Sequence, residues 1–363
     1  MKTNTYVKSW VVASCLLAAA AAPSFAEEFT QSFEISGERL LLVDLIGEVD
    51  VEGYDGDAFV VEVHVQGDDA SRDVIQFDQR DGRNAELWVR FPVDDEHQYV
   101  YPRMGRGSRT SFNPGRSHDG SFLNELLGLA RGDRITVSGS GRGLEVWADL
   151  TVKVPRDRKA QIEIGVGEIH AHDVASALSL DTNSGSVDVS GVQGDLSIDT
   201  GSGHVSAEKI TGKISIDTGS GHVQVRELEG SSIRIDTGSG SVRGTGLSCE
   251  DLYVDTGSGA VDLASVGADD ASIDTGSGSV SLELIRMGTG HFSIDSGSGG
   301  IELLVPEDAS AVVHAETGAG GIRVDVDGAD IRRHDHDEVA VRIGNGDADV
   351  MLETGSGSIR IGQ

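Results

Sequence analysis

The feature that most constrains this chain is a short glycine-containing motif that recurs along its second half. The pentapeptide Asp-Thr-Gly-Ser-Gly occurs unchanged five times, beginning at Asp199, Asp217, Asp236, Asp255 and Asp274. Less regular copies, most of them 18 to 21 residues apart, begin at Glu163, Asp181, Asp295, Glu316 and Glu353. Self-similarity at a period of about 20 residues is typical of a solenoid, in which each repeat forms one coil.

Each repeat has the pattern of a strand, a turn and a second strand. Apolar and polar side chains alternate over residues 196–200, which is the period of a β-strand. Gly201 and Gly203 interrupt the alternation, and Val205 and Ala207 resume it. The sequence therefore predicts an all-β fold, a single-stranded β-solenoid or β-helix of ~18–21-residue coils, and it does not determine the handedness.

In-register stacking of such coils would place every repeat position in a column. We expect two internal aliphatic columns and an inward threonine column, with the aspartates of the motif facing outward. The expected members are Ile198, Ile216, Ile235, Val254, Ile273 and Ile294; Val187, Val205, Val223, Val242, Val261 and Val280; and Thr200, Thr218, Thr237, Thr256 and Thr275.

The outward aspartates would repel one another. Like charges about 4.8 Å apart in water repel by about 0.9 kcal/mol per pair. We expect each aspartate to tie its own Gly-Ser-Gly corner by accepting backbone N–H groups, as in an Asx turn. The alternative is Ca²⁺ bound between coils, although the sequence lacks the nonapeptide of calcium-binding β-rolls.

The N-terminus has the composition of an export signal. Two lysines precede an almost unbroken apolar run, and the small residues Ser24 and Ala26 follow it. We expect residues 1–26 to be a signal peptide that is cleaved before Glu27. The alternative is a lipoprotein signal acylated at Cys15. No later stretch is apolar enough to span a bilayer as a helix.

Beyond the signal, the sequence divides into three expected segments. Residues 27–98 alternate less regularly and are expected to form early coils or a cap. Residues 99–143 form an Arg- and Gly-rich insert, with a helical pattern at residues 121–130. Residues 144–363 hold the regular solenoid repeats, interrupted by a smaller insertion at residues 327–338.

The insert differs in charge from the rest of the chain. From Tyr101 to Arg142 it has seven arginines and three acidic residues, a local charge of +4. The whole chain carries −31, and loss of the two lysines of residues 1–26 gives −31 − 2 = −33, which repels nucleic acid. Three roles for the insert stay open: a recognition loop, a disordered segment, or a segment that folds back onto the acidic rod.

Patterns typical of catalytic or metal sites are weak in this sequence. Asp-Thr-Gly-Ser is also the active-site motif of aspartic proteases, but a motif that recurs in every coil is architecture. His204 and His222 share a repeat position and are expected to stack on the surface, and residues 334–338 are expected to form a solvated loop. Cys249 is expected to be a packed small residue. We therefore assign no catalytic, cofactor-binding or metal-binding residue.

The repeat and its flanking segments resemble a known family. The IDTGSGxV units and residues 48–55 and 352–359 look like the DUF4097 family of bacterial β-strand-repeat proteins, often labelled "putative adhesin". The resemblance covers most of residues 35–363 apart from the insert. It implies the solenoid architecture, and the family has no accepted catalytic motif to carry over.

Together these observations favour an exported, non-catalytic β-solenoid scaffold or adhesin-like binding protein of the bacterial envelope, either periplasmic or secreted to the cell surface. Its partner would be a protein or a glycan rather than nucleic acid. One alternative is a carbohydrate-active β-helix enzyme, which needs paired carboxylates in one groove. Another is a calcium-binding or end-to-end polymerising solenoid. We expect the function to lie where the repeat fails, in residues 99–143 and 327–338.

Overall fold

The computed structural model describes residues 27–112, 134–333 and 337–363. The expected signal peptide, the helical pattern at 121–130 and residues 334–336 lie outside the described residues. The first strands, β1 to β15 in chain order, are Phe29–Ile35, Arg39–Ile46, Val49–Tyr54, Phe59–Gln66, Gln76–Arg80, Asn84–Arg90, Gln98–Val100, Arg109–Phe112, Ile135–Ser138, Trp147–Pro155, Lys159–Val166, Ile169–His172, Leu178–Ser184, Val187–Ser190 and Leu196–Thr200. The remaining strands, β16 to β30, are Val205–Thr211, Ile214–Thr218, Val223–Thr237, Val242–Thr256, Val261–Ala268, Asp270–Thr275, Val280–Met287, His291–Ser296, Ile301–Leu304, Ala311–Thr317, Ile322–Asp325, Asp330–Arg333, Glu338–Ile343, Ala348–Thr354 and Ile359–Gly362.

Most strands stack in parallel as coils of a rod with two main faces. The first face has the spatial order β5-β6-β2-β11-β13-β15-β17-β18-β19-β21-β23-β29-β25-β28-β27. The second face has the order β1-β4-β10-β3-β12-β14-β16-β18-β19-β20-β22-β24-β30-β26. Strands β18 and β19 run through both faces. The predicted all-β solenoid is confirmed.

The predicted columns are present in register. Ile198 pairs with Ile216, and the column continues through Ile235 to Ile294 with every member buried. The threonine column is also buried, so its hydroxyls lie inside the rod. Outside, the motif aspartates align from coil to coil. Partial burial raises the pKa of Asp274, and the neighbouring Asp295 and Asp255 raise it further, as expected for stacked like charges.

In most of the described coils the threonine of the motif ties the Gly-Ser-Gly corner, whereas the Thr218 hydroxyl makes no hydrogen bond with a described residue. The Thr256 hydroxyl donates to the carbonyl oxygen of Gly240 in the preceding coil at 2.9 Å. It also accepts the N–H of Gly259 in its own coil at 3.0 Å, while the Gly257 N–H donates to the Thr237 carbonyl oxygen at 3.1 Å. At this corner the prediction that the aspartate accepts the N–H groups is wrong for Gly257 and Gly259, because their N–H groups are bonded to the Thr237 carbonyl and the Thr256 hydroxyl.

A third bend, present in six consecutive coils, was not predicted from the sequence. It is set by one residue with a left-handed backbone, at the same position in six consecutive coils. These residues, with φ between 52° and 70°, are Asp173, Gly191, Lys209, Glu227, Gly246 and Ser265. Since only two of the six are glycine, the sequence gives little signal of a left-handed bend. After the bend the chain turns inward again, which buries Val174, Val192, Ile210, Leu228, Leu247 and Val266.

The coils at the C-terminal end do not follow chain order. The coil at residues 348–362 lies between those at 291–304 and 311–325, since β29 pairs with both β23 and β25. The hairpin of β27 and β28 then covers β25 with antiparallel pairing. On the second face the outermost strand is β26, which pairs with β30. The last strand of the chain is therefore internal to the rod.

Antiparallel strands also cover the N-terminal end. Strands β1, β4 and β10 form an antiparallel extension of the second face, and β5 covers β6 on the first. Phe77 closes the gap between the two extensions, with its ring 6.3 Å from that of Phe29 and 5.2 Å from that of Phe33. These edge-to-face contacts seal the end of the core.

The first coil carries a carboxylate in line with the threonine column. Asp44 of β2 pairs with Ile164, which pairs with Thr182. The Asp44 side chain is fully buried, and neither of its oxygens makes a hydrogen bond of good geometry. Burial raises the pKa of Asp44 well above its usual range; the N–H groups of Leu45 and Ile46 oppose the shift, and Asp149 adds to it.

We predict that Thr256→Val lowers the free energy of unfolding by about 2 kcal/mol, because it leaves the Gly240 carbonyl and the Gly259 N–H without their shared partner. Thr256→Ser should cost less, since Ser296 occupies the same column and makes both equivalent bonds. Urea unfolding measures both changes. Equal stability of the valine variant and the wild type would contradict the role of the hydroxyl.

We predict that Asp44→Asn stabilises the protein at pH 8 and not at pH 4. Because the folded-state pKa of Asp44 is raised, the buried carboxyl is stabilising only while it is protonated. This stability is present below the unfolded-state pKa and is lost as pH rises through the folded-state pKa. The gain should grow by about 1.4 kcal/mol per pH unit between the two values. Urea unfolding at both pH values, with exposed Asp262→Asn as control, tests this. A gain of equal size at both would contradict it.

Candidate functional site

The described part of the insert is folded into a small sheet on the rod. Strands β7 and β9 pair in parallel, and β8 adds antiparallel to β9. A short 3₁₀ turn, Pro102–Met104, follows β7. Tyr99, Phe112, Ile135 and Val137 are buried and join the main core. We call this sheet with its 3₁₀ turn the insert platform.

Aromatic contacts fix the platform against the N-terminal coils. The ring of Tyr99 lies 5.8 Å from that of Phe91, and the ring of Tyr101 lies 5.8 Å from that of Trp147. At the other end, the Thr110 hydroxyl donates to the Ser184 hydroxyl at 3.2 Å, next to a Gly-containing corner. Burial raises the pKa of both tyrosines above the usual value, so their hydroxyls stay protonated.

One arginine of the insert joins it electrostatically to two coils. The guanidinium of Arg103 lies 2.7 Å from a carboxylate oxygen of Glu48 and 2.9 Å from one of Asp149. Burial alone would lower the pKa of Arg103, but these carboxylates raise it above its usual range. The described residues of the insert therefore fold back onto the acidic rod, which is one of the three roles left open for it.

A groove of about 480 Å³ separates the platform from the adjacent corner edge of the rod. The platform side contributes Arg103 and the exposed Arg109, and the rod side contributes Glu48 and Glu168. Most of the other lining residues carry a hydroxyl or are glycines. The full remainder is Tyr101, Met104, Ser108, Thr110, Val166, Gly167, Ser184, Gly185, Ser186, Ser202 and Gly203. The groove therefore offers both signs of charge and many hydrogen-bonding groups, as a binding site for a polar partner requires. We call it the insert groove.

The other sequence candidates do not converge on this groove. His204 and His222 do occupy neighbouring coils, and the His222 imidazole lies 2.9 Å from the Ser241 hydroxyl. Among the described residues, no three His, Cys, Asp or Glu side chains are grouped to hold a metal ion. Cys249 is buried, and burial raises the pKa of its thiol to about 11. Of the predicted acidic loop, residues 334–336 lie outside the described residues.

Sequence reasoning located the insert but not the residue that anchors it. Arg103 is one of seven arginines in the insert, and only the stacking of β3 beside β10 brings Glu48 and Asp149 together. The Tyr-Pro-Arg sequence at 101–103 was the available signal, because proline begins the 3₁₀ turn that aims Arg103 at the rod.

The family assignment comes from the sequence profile of DUF4097, described as Toastrack, which matches residues 148–362. The chain belongs to the Toastrack DUF4097 family. The matched span holds the regular coils and leaves out the insert. Across the described residues of this Toastrack protein, no helix is long and apolar enough to cross a membrane.

Two solved structures are similar to this Toastrack chain over most of its length. One, named a "putative cell adhesion protein" from Clostridium sporogenes, is 11% identical, with a TM-score of 0.21, and covers 93% of this chain and 100% of its own. The other, named a "putative adhesin" from Bacteroides fragilis, is 10% identical, with a TM-score of 0.34, and covers 92% and 97%. No functionally curated protein matches the sequence.

We predict that Arg103→Ala loosens the platform without unfolding the rod. It removes both ion pairs to Glu48 and Asp149, which lie at the partly buried junction. Amide hydrogen exchange in β7 and β8 should accelerate by about tenfold, while exchange in β15 and β17 stays unchanged. Arg109→Ala is the matched control, since Arg109 makes no ion pair with any described residue. Unchanged exchange in both variants would show that the ion pairs of Arg103 are not needed to hold the platform.

Proposed function

We propose that this protein is an exported, non-catalytic β-solenoid of the bacterial envelope that binds a protein or glycan partner in its insert groove. The observation that supports this most is the anchoring of the insert. A 45-residue interruption of the repeat (99–143) is held by Arg103 and by aromatic contacts, which places Arg109 opposite Glu168 across an open groove. Binding loops held on rigid scaffolds commonly have this arrangement.

The charges of the groove favour binding over hydrolysis. A glycosidase needs two carboxylates on opposite sides of the scissile bond, one of them able to donate a proton. In the insert groove Glu48 is held by Arg103 at 2.7 Å, and Glu168 is the other carboxylate among the described lining residues. A glutamate occupied by an arginine is suited to positioning the platform, so the carbohydrate-active enzyme stays the second candidate.

Export and adhesion are supported by different observations. Export rests on the signal-like composition of residues 1–26, and we propose a mature chain that begins at Glu27. Adhesion is the role that the names of the two similar structures give to those proteins. For this chain we propose the same class of role, without a partner of known identity.

The proposal is tested by the binding of purified protein to a glycan array and to immobilised cell-envelope protein. Arg109→Glu should reduce retention by about tenfold, because it reverses a charge in the groove. Arg243→Glu, an equal charge change on the second face, should bind like wild type. Equal binding by both variants would exclude the insert groove. Mass analysis of protein from the envelope fraction should give a chain beginning at Glu27, and a retained residue 1–26 segment would contradict cleavage.

A further inference from the structure

The strongest unassigned feature is a strip of positive charge on this acidic rod. Two adjoining grooves, of about 760 Å³ and about 480 Å³, share Arg39 and Lys159. Among the described residues, seven cations line them: Arg39, Arg83, Arg156, Arg158, Lys159, Lys213 and Arg234. Glu38, Asp157 and Asp195 are the lining acids, so the local charge is 7 − 3 = +4, whereas the chain carries −31. We call this the cationic strip.

Three cations of the strip are available to a ligand. Arg39, Lys159 and Lys213 are exposed and make no ion pair with any residue that the structure describes. Arg234 lies 3.3 Å from Asp236 and its guanidinium stacks 4.0 Å from the centre of the Tyr253 ring, which orders it at the end of the strip. Free cations gathered in a groove, on a protein with a large negative charge, complement an anionic ligand.

The shape of the strip fits an extended ligand. Its residues lie at the start of five neighbouring first-face strands, β2, β11, β13, β15 and β17, and at the start of the first-face part of β18, residues 232–237. Five steps of about 4.8 Å give a length of about 24 Å along the rod axis. Between the cations lies a row of serines, one per coil: Ser179 pairs with Ser197, and Ser197 with Ser215. Each hydroxyl can donate and accept a hydrogen bond.

The lining favours a sugar chain over a nucleic acid. Proteins that bind single-stranded nucleic acid stack bases on aromatic side chains, and no described residue lining the two grooves is aromatic. A row of hydroxyls between cations suits a polymer that carries both hydroxyl groups and acid groups. We propose that the cationic strip binds an acidic polysaccharide, with sugar carboxylates at Arg39, Lys159 and Lys213 and sugar hydroxyls along the serine row.

This site goes beyond the proposed function and does not depend on it. The strip lies where first-face strands begin, and the insert groove lies at the corner where they end. The insert groove shares no lining residue with either groove of the cationic strip. A variant in one groove therefore leaves the other unchanged, so each proposal can fail without the other.

The test is titration calorimetry of the purified chain with an oligogalacturonate long enough to span the strip. Its fully methyl-esterified form has the same backbone without the charges. We expect binding of the acidic oligomer and about tenfold or greater loss of affinity with the ester. The double variant K159Q and K213Q should also lose about tenfold, whereas R226Q and R243Q, an equal charge change on the second face, should change affinity less than about twofold.

Four outcomes would overturn the proposal. The first is no heat with the acidic oligomer. The second is equal affinity for the ester, which would remove the carboxylates from recognition. The third is an equal loss in both double variants, which would indicate diffuse electrostatic attraction. The fourth is equal or tighter binding of a single-stranded DNA oligomer of the same charge, which would identify a general polyanion surface. All four substituted residues are exposed, and an unchanged melting temperature would verify folding.

Discussion

At most of its coils the rod depends on the corner at which a threonine hydroxyl joins its own coil to the neighbouring one. One buried side chain, such as Thr256, holds both the turn and the stacking, because it bonds Gly259 in its own coil and Gly240 in the other. Only glycine fits there, since a Cβ on Gly259 would lie 1.7 Å from the Gly240 carbonyl oxygen. A slip of one residue would turn every side chain to the opposite face, so the corner and the apolar pattern enforce the same register.

The parts of the fold that follow from repetition could be predicted from the sequence, and the parts that depend on backbone direction could not. Strands and buried columns follow from two periods that are both visible in the residues. The motif offers three oxygen-bearing side chains, those of Asp, Thr and Ser, and only the path of the corner decides that Thr256 rather than Asp255 accepts the Gly259 N–H. The place of residues 348–362 was also hidden, because the last copies of the motif are too similar to indicate which coil neighbours which.

The candidate sites were predictable to different degrees for the same reason. The insert was visible because it breaks the repeat and reverses the charge, although its anchor, Arg103, meets partners from distant segments. The cationic strip gave only a local signal in the sequence, the basic cluster Arg156, Arg158 and Lys159. Its other members, such as Lys213, are far from this cluster along the chain, and stacking brings them within a few strands of it. Stacking thus converts single unremarkable positions into continuous surfaces.

The acidic column lies between the two sites and sets what each can bind. Within one coil, Ser197 lies in the strip, Asp199 in the acidic column, and Gly203, in the corner after the strand, in the lining of the insert groove. An anionic chain that moved sideways from the strip would leave its cations and meet a row of carboxylates at a distance shorter than the screening length of about 8 Å. The column therefore confines such a chain to the rod axis. The insert groove has both signs of charge, so it suits a partner of mixed polarity, and the ligands proposed for the two sites therefore differ in chemistry.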